Sequence, residues 1–347
     1  MTIAIAYHED YSKYNLGEAH PFLSLKPRKT IEFLRAKNLM GSKLKLLVPV
    51  PVGEEDLARV HTRDFIELVK KLSEKGGMLA LDTPAPKGIF EIAKLACGGT
   101  KLMAEEVAQE KFRCGINTLG GFHHAGKDSA SGFCFFNDLA IAIEYLRSEY
   151  KIKKFMVVDT DVHHANGTQE IYYDDNSVLL ISLHQDGRTL YPGTGFTNEI
   201  GVGKGKGYTA NIPLLPATAG KAYLYAFDTL VPKLANQFQP EIIFWQSGVD
   251  TYWQDPLANL NLTLDTYYSL GLRMKAIAES TCNKLVVCLG GGYHEDGCVK
   301  GYYNEISGLL KADNFINEKK VVGERRINET KEIIDRAIME LSNYWNF

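Results

Sequence analysis

Short apolar runs rich in β-branched residues alternate along the chain with longer segments of helical period. That alternation predicts an α/β fold with a central, mostly parallel sheet and helices on both faces. The runs place strands at residues 3–7, 155–158, 178–182, 241–245 and 284–289. The periodic segments place helices at residues 27–37, 88–109, 138–149, 221–238, 265–280 and 328–341. No Pro/Ser-rich linker or internal repeat interrupts the pattern, so a single domain is expected. Residues 1–310 form its body. Residues 311–347 are charge-dense and carry Ile327, Ile334, Ala337, Ile338 and Leu341 at helical spacing, the mark of a helical extension packed on the same domain.

Composition narrows what such a domain binds. Lys and Arg number 39 against 42 Asp and Glu, a net charge of −3, so no positive field draws nucleic acid or an anionic membrane. The six cysteines show no C-x-x-C spacing and read as buried thiols of a reducing cytosol. The apolar run at the start is too short for a signal peptide, and no stretch nears the roughly 20 apolar residues of a membrane span. A cytoplasmic protein is expected. Its oligomeric state leaves no mark in the sequence.

In sheets of this kind ligands gather beyond the carboxyl ends of the strands, which directs attention to the polar residues following each apolar run. FMVV leads into Asp159, Asp161, His163 and His164, IIFWQSG into Val249 and Asp250, and KLVVCLGGG into Tyr293 and His294. A fourth segment, GFHHAGKDSASGFCFFND, carries His123 and His124. A carboxylate and an imidazole two residues apart on an extended segment point to the same side, so Asp161 and His163 can hold one metal. Asp250 is the candidate third ligand, leaving a position open for water as hydrolytic zinc sites require. Any one of these residues alone would read as a cap or a satisfied core group. Burying Asp159, Asp161 and Asp250 together without a cation would be costly.

Spacing alone leaves a serine or cysteine nucleophile open, because Ser131 and Cys134 follow the histidine pair, but no G-x-S-x-G elbow is present. The pieces GVGKGKG and LGGG match neither a P-loop nor a dinucleotide loop.

The strings GFHHAGKDSASGFCFFND, VVDTDVHHANGTQEIYYDD, ISLHQDGRTLYPGTGF, GKGYTANIP, SGVDTYWQDPLANLNLT and GGGYH, with YNLGEAHPF near the start, resemble the zinc-dependent histone deacetylase superfamily of the arginase/deacetylase fold. Within it the chain is most similar to the bacterial and archaeal acetoin-utilisation deacetylases, from about Ala4 to Leu310. The resemblance implies hydrolysis of the acetamide of N-acetyl-lysine in proteins or peptides, with release of acetate. It makes Asp161, His163 and Asp250 ligands of one Zn2+, and sets His123 and His124 toward the metal-activated water and the leaving amine. Asp159 would orient His123. Asn166 would partner His124 where many relatives carry Asp, a change that weakens the negative charge beside that ring. Tyr293 would donate its hydroxyl to the oxyanion.

By the same resemblance Gly132, Phe133, Tyr191 and Leu257 wall a narrow channel fit for an aliphatic stem. Asp82 sits at its rim and Arg28 lines an internal acetate exit. Structural K+ or Na+ ions are implied as well. Asp159 with backbone oxygens of Asp161, His163, Ser182 and Leu183 would hold the inner one, and Tyr172, Asp175, Val178 and Tyr208 the outer. Departures are modest: three glycines precede Tyr293 where many relatives have four, and Val249 stands where many have Ala.

Three other readings compete. An arginase-like binuclear manganese hydrolase needs D-x-H-x-D, but Ala165 occupies the last position. A catalytically dead acyl-lysine-binding scaffold would not need the full set of ligands, histidines and tyrosine. An acetylpolyamine or other small-amide amidohydrolase uses the same chemistry and differs only in substrate.

Overall fold

The computed structural model describes residues 2–318 and 325–347. It divides into two compact units. The first runs to Lys153 and adds Asn166–Ile171 and Val286–Gly290; the second comprises Lys154–Ala165, Tyr172–Leu285 and the described residues from Gly291 onward.

Ten strands occur among the described residues: β1 (Ile3–Ala6), β2 (Leu44–Leu47), β3 (Gly77–Ala80), β4 (Thr83–Ala85), β5 (Cys114–Asn117), β6 (Phe155–Asp159), β7 (Val178–Gln185), β8 (Thr209–Leu214), β9 (Ile242–Ser247) and β10 (Leu285–Leu289). The α-helices are α1 (Lys26–Ala36), α2 (Glu54–Leu57), α3 (Arg63–Lys75), α4 (Ile89–Ala108), α5 (Asp138–Glu149), α6 (Asn166–Tyr172), α7 (Gly220–Phe238), α8 (Leu264–Ser280), α9 (Glu295–Leu310) and α10 (Ile327–Leu341). Eight strands follow the sheet order β2-β1-β5-β10-β9-β6-β7-β8, and β3 with β4 forms a separate antiparallel hairpin.

In the first unit β1 runs parallel to β2, with Ile3 opposite Leu44, and to β5, with Ala4 opposite Gly115. In the second unit β6 runs parallel to β9 and β7, and β7 to β8. Every residue of β6, β7 and β9 is buried. Alternate side chains of a strand point to opposite faces, so these strands are covered on both, which is why they read as continuous apolar runs. The catalytic candidates follow where the apolar runs stop.

The expected strands and helices are all present, with ends shifted by a few residues. β2, β5, β8, the β3–β4 hairpin, α2, α3, α6 and α9 were not anticipated. The extension contributes α10, which buries Thr330, Ile333, Ile334, Ala337 and Leu341 and packs on α7 and β8 of the second unit. Ile333 takes an inward place, and Ile338 is half-buried. Beyond α10 the Trp345 indole donates to the Gly207 carbonyl at 2.6 Å. The part of the extension from 319 to 324 lies outside the described residues. No helix among the described residues is long and apolar enough to cross a membrane.

Candidate active site

In the second unit the carboxyl ends of β6 and β9 bring Asp161, His163 and Asp250 together, with one ligand atom from each within 4.8 Å of the others. Nδ1 of His163 lies 3.0 Å from Oδ1 of Asp161 and 3.2 Å from Oδ2 of Asp250. Asp161 and Asp250 are 2% and 0% exposed. Main chain fixes both carboxylates: Asp161 Oδ1 accepts from His163 N and Asp250 Oδ1 from Val162 N, each at 2.9 Å. Gln246 Nε2 and Gly291 N donate to Asp161 Oδ2 at 3.0 and 3.2 Å.

Crowded negative charge shows in the titration of the cluster. Burial, and after it the charge of Asp161, pushes the Asp250 carboxyl above its ordinary range. Burial alone would lower the His163 imidazole, but the two carboxylates outweigh it and hold it well above its usual value. Burial, then the charges of Asp159, Asp250 and Asp161, raises the Tyr223 phenol as well.

The arrangement fits a divalent cation. Oδ2 of Asp250 is buried and accepts no hydrogen bond of good geometry. A Cβ on Gly291 would collide with Oδ2 of both Asp161 and Asp250, so glycine there leaves the two oxygens open. One imidazole and two carboxylates are a donor set suited to zinc and its neighbours.

Tyr293 follows the glycine run and stands at the entrance of α9, where His294 Nδ1 accepts from Gly297 N at 2.9 Å. The backbone of Gly291 is held by Val249 N and the Tyr302 hydroxyl, both donating to its carbonyl. Tyr293 N donates to Asp255 Oδ2 at 2.7 Å.

In the first unit His123 and His124 are 3% and 5% exposed, their rings 4.1 Å apart. Nδ1 of His124 is 2.6 Å from Oδ1 of Asn166, the first residue of α6. With the amide oxygen as acceptor, Nδ1 carries the proton and Nε2 keeps its lone pair. The loop ahead of the pair is cradled by Asp138 at the start of α5, which accepts from Gly121 N at 3.0 Å and Phe122 N at 2.7 Å, and from the Thr100 hydroxyl.

Gly132 and Phe133 adopt φ of 54° and 69°. A Cβ at Gly132 would collide with the His124 ring, so only glycine lets this segment pass beside the imidazole. The Phe133 backbone is gripped by the Thr83 hydroxyl and the Tyr14 hydroxyl, and its ring meets His20 edge-on at 4.4 Å. Asp82, between β3 and β4, accepts from Gly132 N at 3.0 Å and from the Thr83 hydroxyl at 2.9 Å. In the second unit Tyr191 is 41% exposed, and its ring lies 6.3 Å from that of His163. Leu257 N donates to Asp255 Oδ1 at 3.0 Å.

Of the expected monovalent-ion ligands, Asp159 is 1% exposed and accepts from Asp161 N at 3.1 Å. The Ser182 hydroxyl bonds His184 Nδ1 at 2.8 Å, and the Leu183 carbonyl accepts from the Tyr223 hydroxyl at 3.3 Å. The carbonyls of Tyr172 and Tyr208 accept from Asp175 N and Leu180 N, and the Asp175 carboxylate turns to Ser177. Val178 opens β7.

Arg28 does not stand where an internal exit would need it. Its side chain is 57% exposed and pairs with Glu32 at 2.9 Å on the outer face of α1. Two residues earlier Lys26 is 2% exposed, and its ammonium donates to the Gly290 carbonyl and sits 5.3 Å from the centre of the Phe22 ring. Lys26, Thr30 and Leu34 share the buried face of α1, while Arg28 and Glu32 share the exposed one. Asp138 and Asp255 were also not singled out, because they accept mainly from backbone N–H groups, which leave no side-chain pattern.

The model of the family described as the histone deacetylase domain matches residues 20–309. A probable deacetylase of Archaeoglobus fulgidus is 34% identical over 331 residues, covering 92% of this chain and 91% of that protein. The acetoin utilization protein AcuC of Bacillus subtilis is 36% identical over 298 residues, covering 83% of this chain and 76% of its own length. Among solved structures the HDA15 HD domain is similar with a TM-score of 0.88 at 27% identity, covering 99% of this chain and 96% of that one. The chain belongs to the histone deacetylase family, in the branch of the acetoin utilization proteins, and is a deacetylase.

Proposed function

We propose that the chain is a zinc-dependent, cytoplasmic deacetylase that hydrolyses the acetamide of N-acetyl-lysine in proteins or peptides and releases acetate. The observation that carries the reading is the buried Asp161, His163 and Asp250 group, whose Asp250 Oδ2 accepts no hydrogen bond of good geometry. When bound there, zinc supplies Lewis acidity toward a carbonyl and lowers the pKa of water. His123 and His124 take up the proton from water and return one to the departing amine. The Nδ1–Asn166 bond holds the His124 ring in the tautomer whose Nε2 accepts. Tyr293 donates its hydroxyl to the oxygen that becomes negative.

Gly132, Phe133, Tyr191 and Leu257 serve the lysine methylenes, and Asp82 keeps lone pairs for the backbone amides flanking the acetyl-lysine. Neutral Leu257 offers nothing to the distal ammonium of a polyamine, which favours the peptide over the acetylpolyamine. Lys26, rather than Arg28, lines the route for acetate. Asp159 with the backbone oxygens of Asp161, His163, Ser182 and Leu183 would hold one potassium or sodium ion, and Tyr172, Asp175, Val178 and Tyr208 a second. Six cysteines, none of them in a disulfide, accord with a reducing compartment.

The test is a screen of acetylated lysine peptides against acetylated polyamines, with metal analysis of the same sample. Peptide turnover with one zinc per chain is expected. Turnover of polyamines alone, or two transition metals per site at full occupancy, would overturn the reading.

A further inference from the structure

The loop after the third ligand runs from Asp250 to the channel residue Leu257, and Asp255 lies within it at 6% exposure. Its carboxylate is divided between two backbone donors. Oδ1 accepts from Leu257 N at 3.0 Å and Oδ2 from Tyr293 N at 2.7 Å. The first bond is local and alone would make Asp255 a turn former. The second spans 38 residues to the amide of the proposed oxyanion donor.

That amide needs holding from outside. Gly291 and Gly292 precede it, and Gly292 has φ 137°, a region only glycine enters freely. A backbone so permissive does not by itself fix where the Tyr293 side chain starts. A short bond to a buried carboxylate does, because charge-assisted bonds in a dry setting are the strong ones. An oxyanion donor acts only when its hydroxyl meets the oxygen at about 2.7–3.1 Å. A shift of a fraction of an ångström at the main chain is enough to spoil this.

We propose that Asp255 is the positioning residue of Tyr293, and that through its other oxygen it ties the channel wall at Leu257 to the same anchor. The proposal rests on Tyr293 acting as the oxyanion donor. Asp255 is not one of the three clustered ligand residues, and both its oxygens accept from main-chain N–H groups. It therefore acts on kcat through Tyr293 and on KM through Leu257, two effects that can be separated.

The experiment is a double-mutant cycle in the full-length, zinc-loaded enzyme with an acetyl-lysine peptide, using Asp255→Asn, Tyr293→Phe and the pair. Bound zinc per chain and the melting temperature are read alongside. Asp255→Asn should lower kcat about tenfold in the otherwise wild-type chain and less than about twofold once the hydroxyl is gone. Its change in KM should be the same in both backgrounds, and zinc content should stay at the wild-type level. Should the Asn variant fail to fold, Asp255→Ser, which removes the carboxylate without opposing an amide to either N–H, enters the same cycle. Equal kcat losses in the two backgrounds, or an unchanged kcat in the first, overturn the proposal alone. A Tyr293→Phe enzyme within twofold of wild-type kcat removes the underlying reading and the proposal with it.

Discussion

The loop that delivers His123 and His124 and the cradle of Asp161, His163 and Asp250 are both built on buried carboxylates, and they differ in how those carboxylates are satisfied. Asp138 in the histidine loop is 0% exposed, and burial pushes its carboxyl up while Thr100, Phe122 and Gly121 donate to its oxygens and pull it back. In the cradle Oδ2 of Asp250 accepts no hydrogen bond, and Asp161 and Asp250 face each other across one imidazole. A buried carboxylate supplied with donors is scaffold. One that is left short, beside a second carboxylate, is a place for a cation. The same residue type thus serves two ends, and the oxygen of Asp250 left short beside a second carboxylate tells them apart.

The largest expected effect breaks the cradle. Asp161→Asn removes a proposed ligand and a unit of negative charge, and should cut turnover of an acetyl-lysine peptide by at least about a thousandfold. Zinc should raise the melting temperature of the wild-type chain and leave the variant unmoved, because only a site that binds in the folded state stabilises it. Retained zinc-dependent stabilisation in Asp161→Asn would sink the assignment. Next in size is Tyr293→Phe, which keeps the cradle whole. It should leave zinc binding unchanged and lower kcat by about 10² to 10³, the usual loss for one oxyanion donor. A kcat within twofold of wild type, where chemistry limits the rate, would remove the hydroxyl from the mechanism.

The two regions were unequally legible in the sequence. The cradle could be read because Asp161 and His163 are two apart on one segment, and the histidine pair because it is adjacent. Asp138 and Asp255 escaped because most of their partners are main-chain N–H groups, which nearly any residue type presents, and the Thr100 hydroxyl on Asp138 is 38 residues away. The resemblance points to Arg28, but helical spacing puts Arg28 on the exposed face of α1 and Lys26 on the buried one. Among the elements, β2 is interrupted by Lys45, β5 reads CGIN, and β8 contains Pro213, which a strand at the end of the sheet order tolerates. Three glycines, Gly297, Gly301 and Gly308, hid α9 by lowering its helical propensity. Burial of one face, which decides these elements, is a property of the fold and not of the local string.

The histidine region should also be the acid-sensitive one. His61 is 3% exposed, and its Nε2 accepts from Asn137 N at 3.0 Å just before Asp138. Burial lowers its imidazole from 6.5 to about 4. Above about pH 6.5 neither folded nor unfolded chain protonates it. As pH falls from there toward 4 the unfolded chain takes the proton first, so stability is lost across that window, by up to about 3 kcal/mol. Urea unfolding at pH 7 and pH 4.5 measures the slope, and His61→Gln, which keeps an acceptor for Asn137, should flatten it. An identical slope in the variant would place the acid sensitivity elsewhere.

The smallest expected effect makes the two regions more alike. Asn166 meets His124 Nδ1 with a neutral amide oxygen at 2.6 Å, whereas the cradle surrounds its imidazole with two carboxylates. Asn166→Asp adds a negative charge at that distance and favours the imidazolium of His124. The new charge stands at the first residue of α6, where the helix dipole tolerates it, so the fold should hold. The limb of the pH–kcat profile set by His124 should then move up by about one pH unit, while zinc content and KM stay put. Profiles recorded between pH 5 and 9 for both enzymes decide the point. A limb that does not move assigns the titrating group to His123, and with it the proton that His124 is proposed to carry.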